Sequence, residues 1–247
     1  MKKHTLVSRS IFLLILGYLF LGVAHIAILP PWEGFDETAH YSYLQQIADT
    51  LKIPRQGTAF ISKDVEKYRL FSPIPYRSVS PVEQNGGLTY KDFFESSAED
   101  VKIGGEHIHK APMNPRTYSE GNGLNWQSQH PPLYYLLLSP IYLSTKHLSW
   151  GAQLFILRLT SYLFAWSALI IGCFIYLNRI HSNSYKADER IYYWITIGFG
   201  IWPILFPSWF PEMARMGNDS LCALIMALIW AVSLRACSKG LSLVYAF

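Results

Sequence analysis

The run SIFLLILGYLFLGVAHIAILPPW (Ser10–Trp32) decides the fold class, because it holds no Lys, Arg, Asp or Glu. About 20 residues at 1.5 Å rise cross a ~30 Å hydrocarbon core, so this run reads as a first membrane span. Lys2, Lys3 and Arg9 precede it and Pro30-Pro31 end it. A secretory signal begins in the same way, but this apolar core is too long for one. Ala24-His25-Ile26-Ala27 is also a poor cleavage site, and the segment is read as retained.

Composition extends that reading to the whole 247-residue chain, which is 51% apolar, 15% aromatic and only 15% charged. Such a chain is neither disordered nor fibrous. Between Trp32 and Gly151 lie 13 of the 17 acids but only 11 of the 21 basic residues. The other basic residues fall mainly in short clusters beside apolar runs: Lys2, Lys3 and Arg9; Arg179, Lys186 and Arg190; Arg235 and Lys239. That placement fits a membrane rather than nucleic acid, despite a net charge of +4.

Three more uncharged runs read as spans two to four: Leu159–Asn178, Ile191–Pro211 and the shorter Ser220–Leu234. PPLYYLLLSPIYLST (Pro131–Thr145) is apolar but short, interrupted by Pro140 and rich in Tyr. If it does not span, the N-terminus and the Arg179 and Arg235 loops share the cytoplasmic side with eight Lys/Arg, and Arg215 alone lies in the short outer loop between spans three and four. The positive-inside bias therefore makes it a helix in the outer interface. The expected fold is all-α, a polytopic membrane protein with about four to five transmembrane helices and a large outer loop (32–152) carrying interfacial amphipathic helices. The N-terminus is cytoplasmic and the large loop outside. Residues 1–240 form one module, and LSLVYAF (Leu241–Phe247) reads as the start of a fifth span cut short.

Just beyond the first span comes FDETAH (Phe35–His40), and then Tyr41, Leu44, Ala48 and Leu51 at helical spacing, read as an amphipathic helix on the membrane surface with Asp36 as its cap. Two roles stay open for Asp36. It is an N-cap, with Glu37 favouring the helix dipole, or it is a general base or cation ligand with His40 one turn on. Residues 69–82 and 104–123 read as loops, rich in Pro, Gly, Asn and Ser. Within the second, His107 and His109 are too few donors for a metal site. Cys173, Cys222 and Cys237 lie in or beside spans and the outer loop has none, so disulfides are not expected. There is no internal repeat, phosphate loop or cysteine metal motif, and the spans lack the buried acid of a transporter.

Taken in order, these motifs resemble the GT-C superfamily of membrane glycosyltransferases, the group of protein O-mannosyltransferases and lipid A aminoarabinose transferases. An Asp-Glu pair follows the first span (Asp36-Glu37), then a His-Pro-Pro-Leu-Tyr-Tyr helix (His130–Tyr135), Arg158-Leu159 at the outer start of span two, and Asn218-Asp219 opening the fourth. The match covers residues 10–235. The resemblance implies a polyprenyl-phosphate sugar donor, an acceptor (lipid, glycan or protein) reaching the outer face, inversion at the anomeric carbon and a bacterial plasma membrane. It implies catalytic roles for Asp36 and Glu37, and substrate binding by His40, Arg158 and Asp219. Arg158 is equally readable as a snorkelling anchor, and Asp219 as a helix N-terminal carboxylate. His130 is assigned no chemistry. No residue is assigned as a metal ligand, and a divalent cation is the one cofactor left open. Family members continue beyond the point where this chain stops, which leaves open a partner chain supplying the C-terminal half. A second reading stays beside the enzyme: a truncated or non-catalytic membrane protein that binds a lipid-linked sugar or a partner chain.

Overall fold

The computed structural model describes residues 2–32, 36–68, 95, 97–182, 198, 201–206 and 208–239. The chain is mostly helical and divides into two compact units. The first comprises Met1–His25, Ser161–Ala214 and Asn218–Phe247; the second comprises Ile26–Thr160 with Arg215–Gly217.

In order, the described elements are α1 (Lys2–Ile28), α2 (Glu37–Thr50), β1 (Phe60–Ser62), α3 (Lys63–Tyr68), α4 (Ala98–His109), β2 (Glu120–Leu124), a 3-10 turn (Trp126–Gln129), α5 (Leu133–Thr145), α6 (Trp150–Ser182), α7 (Trp209–Ala214) and α8 (Asp219–Lys239). Among the described residues, three helices are long and apolar enough to cross a membrane: α1 over Arg9–Ile28, α6 over Trp150–Ile175 and α8 over Asp219–Ala236. They correspond to the expected first, second and fourth spans. The expected third span (191–211) is described only in part. Of it, residues 198 and 201–205 are helical and α7 begins separately at Trp209. Residues 183–190 of the loop expected on the cytoplasmic side, the expected loop at 69–82 and the expected fifth-span start at 241–247 also lie outside the described residues.

In the first unit, α1 and α6 meet where a small residue admits an aromatic ring. A Cβ on Gly22 would collide with the Tyr162 ring, whose hydroxyl donates to the Tyr18 carbonyl (2.6 Å). Trp166 Nε1–H donates to the Ile15 carbonyl (2.9 Å), and Ser161 and Ser220 share a 2.8 Å hydroxyl bond joining α6 to α8. Close approach over small residues is how helices associate where lipid removes the hydrophobic drive. Phe12, Phe20, Met226 and Trp230 leave apolar surface bare on α1 and α8, as lipid-facing helices do. Gly22→Leu is therefore expected to lower the thermal unfolding temperature of the detergent-solubilised protein, with an overpacking cost of about 1–3 kcal/mol. Gly17→Leu is the control and is expected to change nothing, since a Cβ there meets no atom within 4 Å.

The second unit is built around α2. Nearly every residue from Glu37 to Ala48 is buried, and α2 packs on α5. Tyr43 stacks on Tyr135 at 3.7 Å between centroids, and Tyr41 meets Trp32 and Trp150 edgewise or tilted at 5.3 Å. The expectation that α2 lies on the membrane surface is thus corrected. Tyr41, Leu44 and Ala48 are buried as the spacing requires, but Ser42 and Gln45 between them are buried too, and polar side chains of α2 are tied to other elements. Ser42 Oγ accepts the Ser62 N–H (3.0 Å), and Asp49 accepts from Tyr118 N–H (2.8 Å), the Tyr142 hydroxyl (3.1 Å) and Lys146 Nζ (3.0 Å). Burial drives the Tyr41 and Tyr142 hydroxyls well above their ordinary range and keeps both as neutral donors. Leu51 is no part of the face; it is the left-handed C-cap and 88% exposed.

Two further expectations change. The region 32–152 is not all-α: β1 and β2 pair antiparallel, Phe60 with Leu124 and Ser62 with Glu120, so the register slips as at a bulge. The β2 sequence EGNGL reads as a turn, but Gly121 makes room for the Glu66 carboxylate, which accepts the N–H groups of Asn122 (2.8 Å) and Gly123 (2.9 Å). The stretch from Gly104 to His109 is helix rather than loop. Ser97 followed by Ala98-Glu99-Asp100 is a helix-start sequence, and the helix it opens runs through both glycines.

Candidate functional site

Pro30-Pro31 stops α1, and within six residues the chain re-enters helix at Glu37. Asp36 sits at the cap position of α2 with φ 58° and ψ 8°, the left-handed region. Its carbonyl still accepts the Ala39 and His40 N–H groups (2.9 and 3.0 Å), but its side chain makes no cap bond, contrary to the capping expectation. A cap side chain is aimed at the N2 or N3 N–H from extended backbone, and the left-handed turn re-aims it. The carboxylate instead accepts Trp126 Nε1–H at Oδ1 (2.7 Å) and Gln127 Nε2–H at Oδ2 (2.6 Å). A left-handed non-glycine costs of order 1–2 kcal/mol, which two charge-assisted bonds offset. Each oxygen keeps capacity for another donor, and Asp36 is only half-buried.

The two partners come from the 3-10 turn. Asn125 caps that turn, its side chain accepting Gln127 N–H (3.0 Å) and donating to the Ala39 carbonyl (3.0 Å). Its own N–H donates to the Ala59 carbonyl (2.8 Å), so one residue ties the turn both to α2 and to the start of β1.

Glu37 is a different kind of carboxylate. It is fully buried and paired with Arg158, itself 3% exposed: Arg158 Nε donates to Oε1 (2.7 Å) and Nη2 to Oε2 (2.6 Å). The N–H groups of Met216 and Trp32 complete its shell, both at 3.1 Å. Arg158 also donates to the Leu29 and Pro30 carbonyls (2.6 and 2.8 Å), closing the end of α1 where proline leaves carbonyls open. The geometry thus places Glu37 and Arg158 together in one bidentate pair, with the arginine's donors committed to the fold.

His40 is 2% exposed, its Nδ1 2.8 Å from the Tyr135 hydroxyl, with the His130 ring 6.1 Å away. Burial, reinforced by the Arg215 charge and by His130, lowers its pKa from 6.5 to about 3, so the ring is neutral near pH 7. Below pH 6.5 the unfolded chain binds a proton that folded His40 refuses until about pH 3. The stability of the neutral ring is therefore complete above pH 6.5 and is lost as pH falls through that window, about tenfold in the folding equilibrium per pH unit. Thermal unfolding is expected at lower temperature as pH drops from 6.5 to 4.5. His40→Gln, which keeps a polar partner for Tyr135, should flatten that slope.

Asp219 opens α8 as its first-turn acid, is exposed, and belongs to the first unit rather than to the one holding Asp36, Glu37, His40 and Arg158. Sequence reading did not single out Trp126, Gln127, Tyr135 or Arg215 for the site. Only Arg215, expected as the lone cation of a short outer loop, gave a signal; it is 5% exposed and near enough to His40 to depress its basicity. Among the described residues no three His, Cys, Asp or Glu converge as metal ligands. No family model matches the chain, and no curated protein or solved structure is significantly similar to it.

Proposed function

We propose that this chain is a membrane glycosyltransferase of the GT-C kind, moving a sugar from a polyprenyl-phosphate donor to a hydroxyl on a lipid, glycan or protein acceptor. In this reading the N-terminus is cytoplasmic and the second unit lies on the outer face. The observation that carries it is the Asp36 carboxylate: half-exposed, turned out of its helix cap, and held by two side-chain donors, only eight positions along the chain from the last residue of a helix able to cross a bilayer. A capping residue needs none of that arrangement, whereas a general base needs a fixed acceptor with open capacity.

In the reaction, Asp36 takes the proton of the acceptor hydroxyl as its oxygen bonds to the anomeric carbon. The bond from that carbon to the phosphate oxygen breaks with its electron pair, and polyprenyl phosphate leaves. Protonated Asp36 then returns its proton to water. The leaving phosphate gains negative charge, which a nearby cation stabilises. Arg215, whose charge acts on His40, is the cation this reading assigns to that role; the Arg158 guanidinium holds Glu37 and two carbonyls. His40, neutral, orients without adding charge. Glu37 is a positioning residue.

The test is transfer of labelled sugar from a polyprenyl-phosphate donor in proteoliposomes. Arg215→Gln is expected to lose about 10²-fold in rate, the usual worth of one charge-stabilising donor. Absence of any transfer by the folded wild-type chain, across glucose, mannose and aminoarabinose donors, would count against the reading.

A further inference from the structure

α5 divides its surface sharply. Tyr134, Tyr135, Leu138 and Tyr142 are at most 1% exposed, facing the unit that contains α2, whereas Leu133, Leu136, Leu137 and Leu143 are 43–50% exposed. The helix carries no charged residue, so its outward face is apolar along three turns. At 13 residues it is about 20 Å long, too short to cross a ~30 Å core.

We infer that the Leu133/Leu136/Leu137/Leu143 face of α5 lies in the interfacial layer of the lipid bilayer and sets the height of Asp36 above it. The bilayer is the occupant because the unit is tethered to it at both ends. α1 enters through Ile26–Ile28, with Ile28 78% exposed, and α6 begins at Trp150, only four residues after α5 ends. Lys146 follows α5 directly and turns back to Asp49 (3.0 Å), so no charge is presented from the leucine face. A protein partner would be expected to find polar rim groups there; a hydrocarbon boundary needs none. α2 rests on the opposite side of α5, through Tyr43–Tyr135 stacking and the Tyr142–Asp49 bond. Packed helices are about 8–10 Å apart, so Asp36, which opens α2, stands roughly one helix diameter above the leucine face, at headgroup depth. The membrane-surface helix is therefore α5, and α2 rides on it. This inference does not depend on what reaction, if any, Asp36 performs.

Single cysteines at Leu133, Leu136, Leu137 and Leu143, in a chain whose three native cysteines are replaced by Ala, would carry an environment-sensitive fluorophore in phosphatidylcholine vesicles. Exposed Lys52→Cys is the aqueous control. The four α5 probes are expected to emit blue-shifted light and to be quenched several-fold more by shallow spin-labelled lipid than by aqueous iodide or by mid-bilayer spin label, with Lys52→Cys showing the reverse towards iodide. Iodide quenching of the α5 probes equal to that of the control would overturn the inference. So would strongest quenching by the mid-bilayer label, which would mean a spanning segment, or protection from all three quenchers, which would mean a protein surface covers the face. The four sites are exposed, so substitution does not disturb the core, and the depth readout is independent of transfer activity.

Discussion

Replacing Asp36 by Asn is expected to lower sugar transfer by about 10²–10⁴-fold, the range a positioned general base contributes, while the protein still inserts and folds. The fold survives because the site can absorb the change. Trp126 Nε1–H continues to donate to the Asn oxygen. Gln127 Oε1, which makes no hydrogen bond among the described residues, can turn to accept from the new amide in place of Nε2 donating to the lost oxygen. The Asn side chain keeps the shape and the left-handed tolerance of Asp but cannot accept a proton near pH 7. Rate of transfer, membrane abundance and thermal unfolding measured together separate lost chemistry from lost structure. An Asp36→Asn protein that is folded and fully active would remove the base from the account.

Glu37→Ala is expected to act on the other side of that division, lowering stability by about 3–5 kcal/mol, because it strands a buried guanidinium without its counter-ion. It also removes the acceptor for the Met216 and Trp32 N–H groups, both of which reach Glu37 at 3.1 Å. The measurement is membrane abundance with thermal unfolding in detergent. Glu37→Gln, which retains an acceptor oxygen and the shape, should be less damaging. Glu37→Leu combined with Arg158→Met should recover part of the loss, since removing both charges deletes the desolvation cost as well as the attraction. A stable Glu37→Ala protein that has lost only transfer would move Glu37 into the chemistry.

These two neighbouring carboxylates also mark how far the sequence could be read. The ends of α1 were legible because Pro30-Pro31 forbid its continuation, and the apolar runs of α6 and α8 because length and hydropathy are one-dimensional properties. The burial of Tyr41, Leu44 and Ala48 followed from helical spacing alone. What decides between Asp36 and Glu37 is not local. Asp36 is fixed by Trp126 and Gln127, about ninety positions along, and Glu37 by Arg158 and Met216, still further away. Both residues look equally like helix-start acids, and only tertiary contact tells the exposed one from the buried pair. The β1–β2 pairing was hidden for a related reason. A Gly-Asn-Gly strand has turn composition, and Gly121 answers to the Glu66 side chain rather than to local propensity. For α5 the composition gave an apolar helix too short to span, but which of its faces is bare depends on where α2 lies.

The central claim is that the Asp36 carboxylate takes a proton from an acceptor hydroxyl while a lipid phosphate departs. Single-turnover transfer from a labelled polyprenyl-phosphate sugar, with wild-type and Asp36→Asn protein in the same proteoliposomes, tests it most directly. The account predicts labelled acceptor and released polyprenyl phosphate in equal amounts from the wild type, and a rate lower by about two to four orders of magnitude from folded Asp36→Asn. Equal rates from the two proteins, or no turnover from folded wild type with any donor, would contradict it.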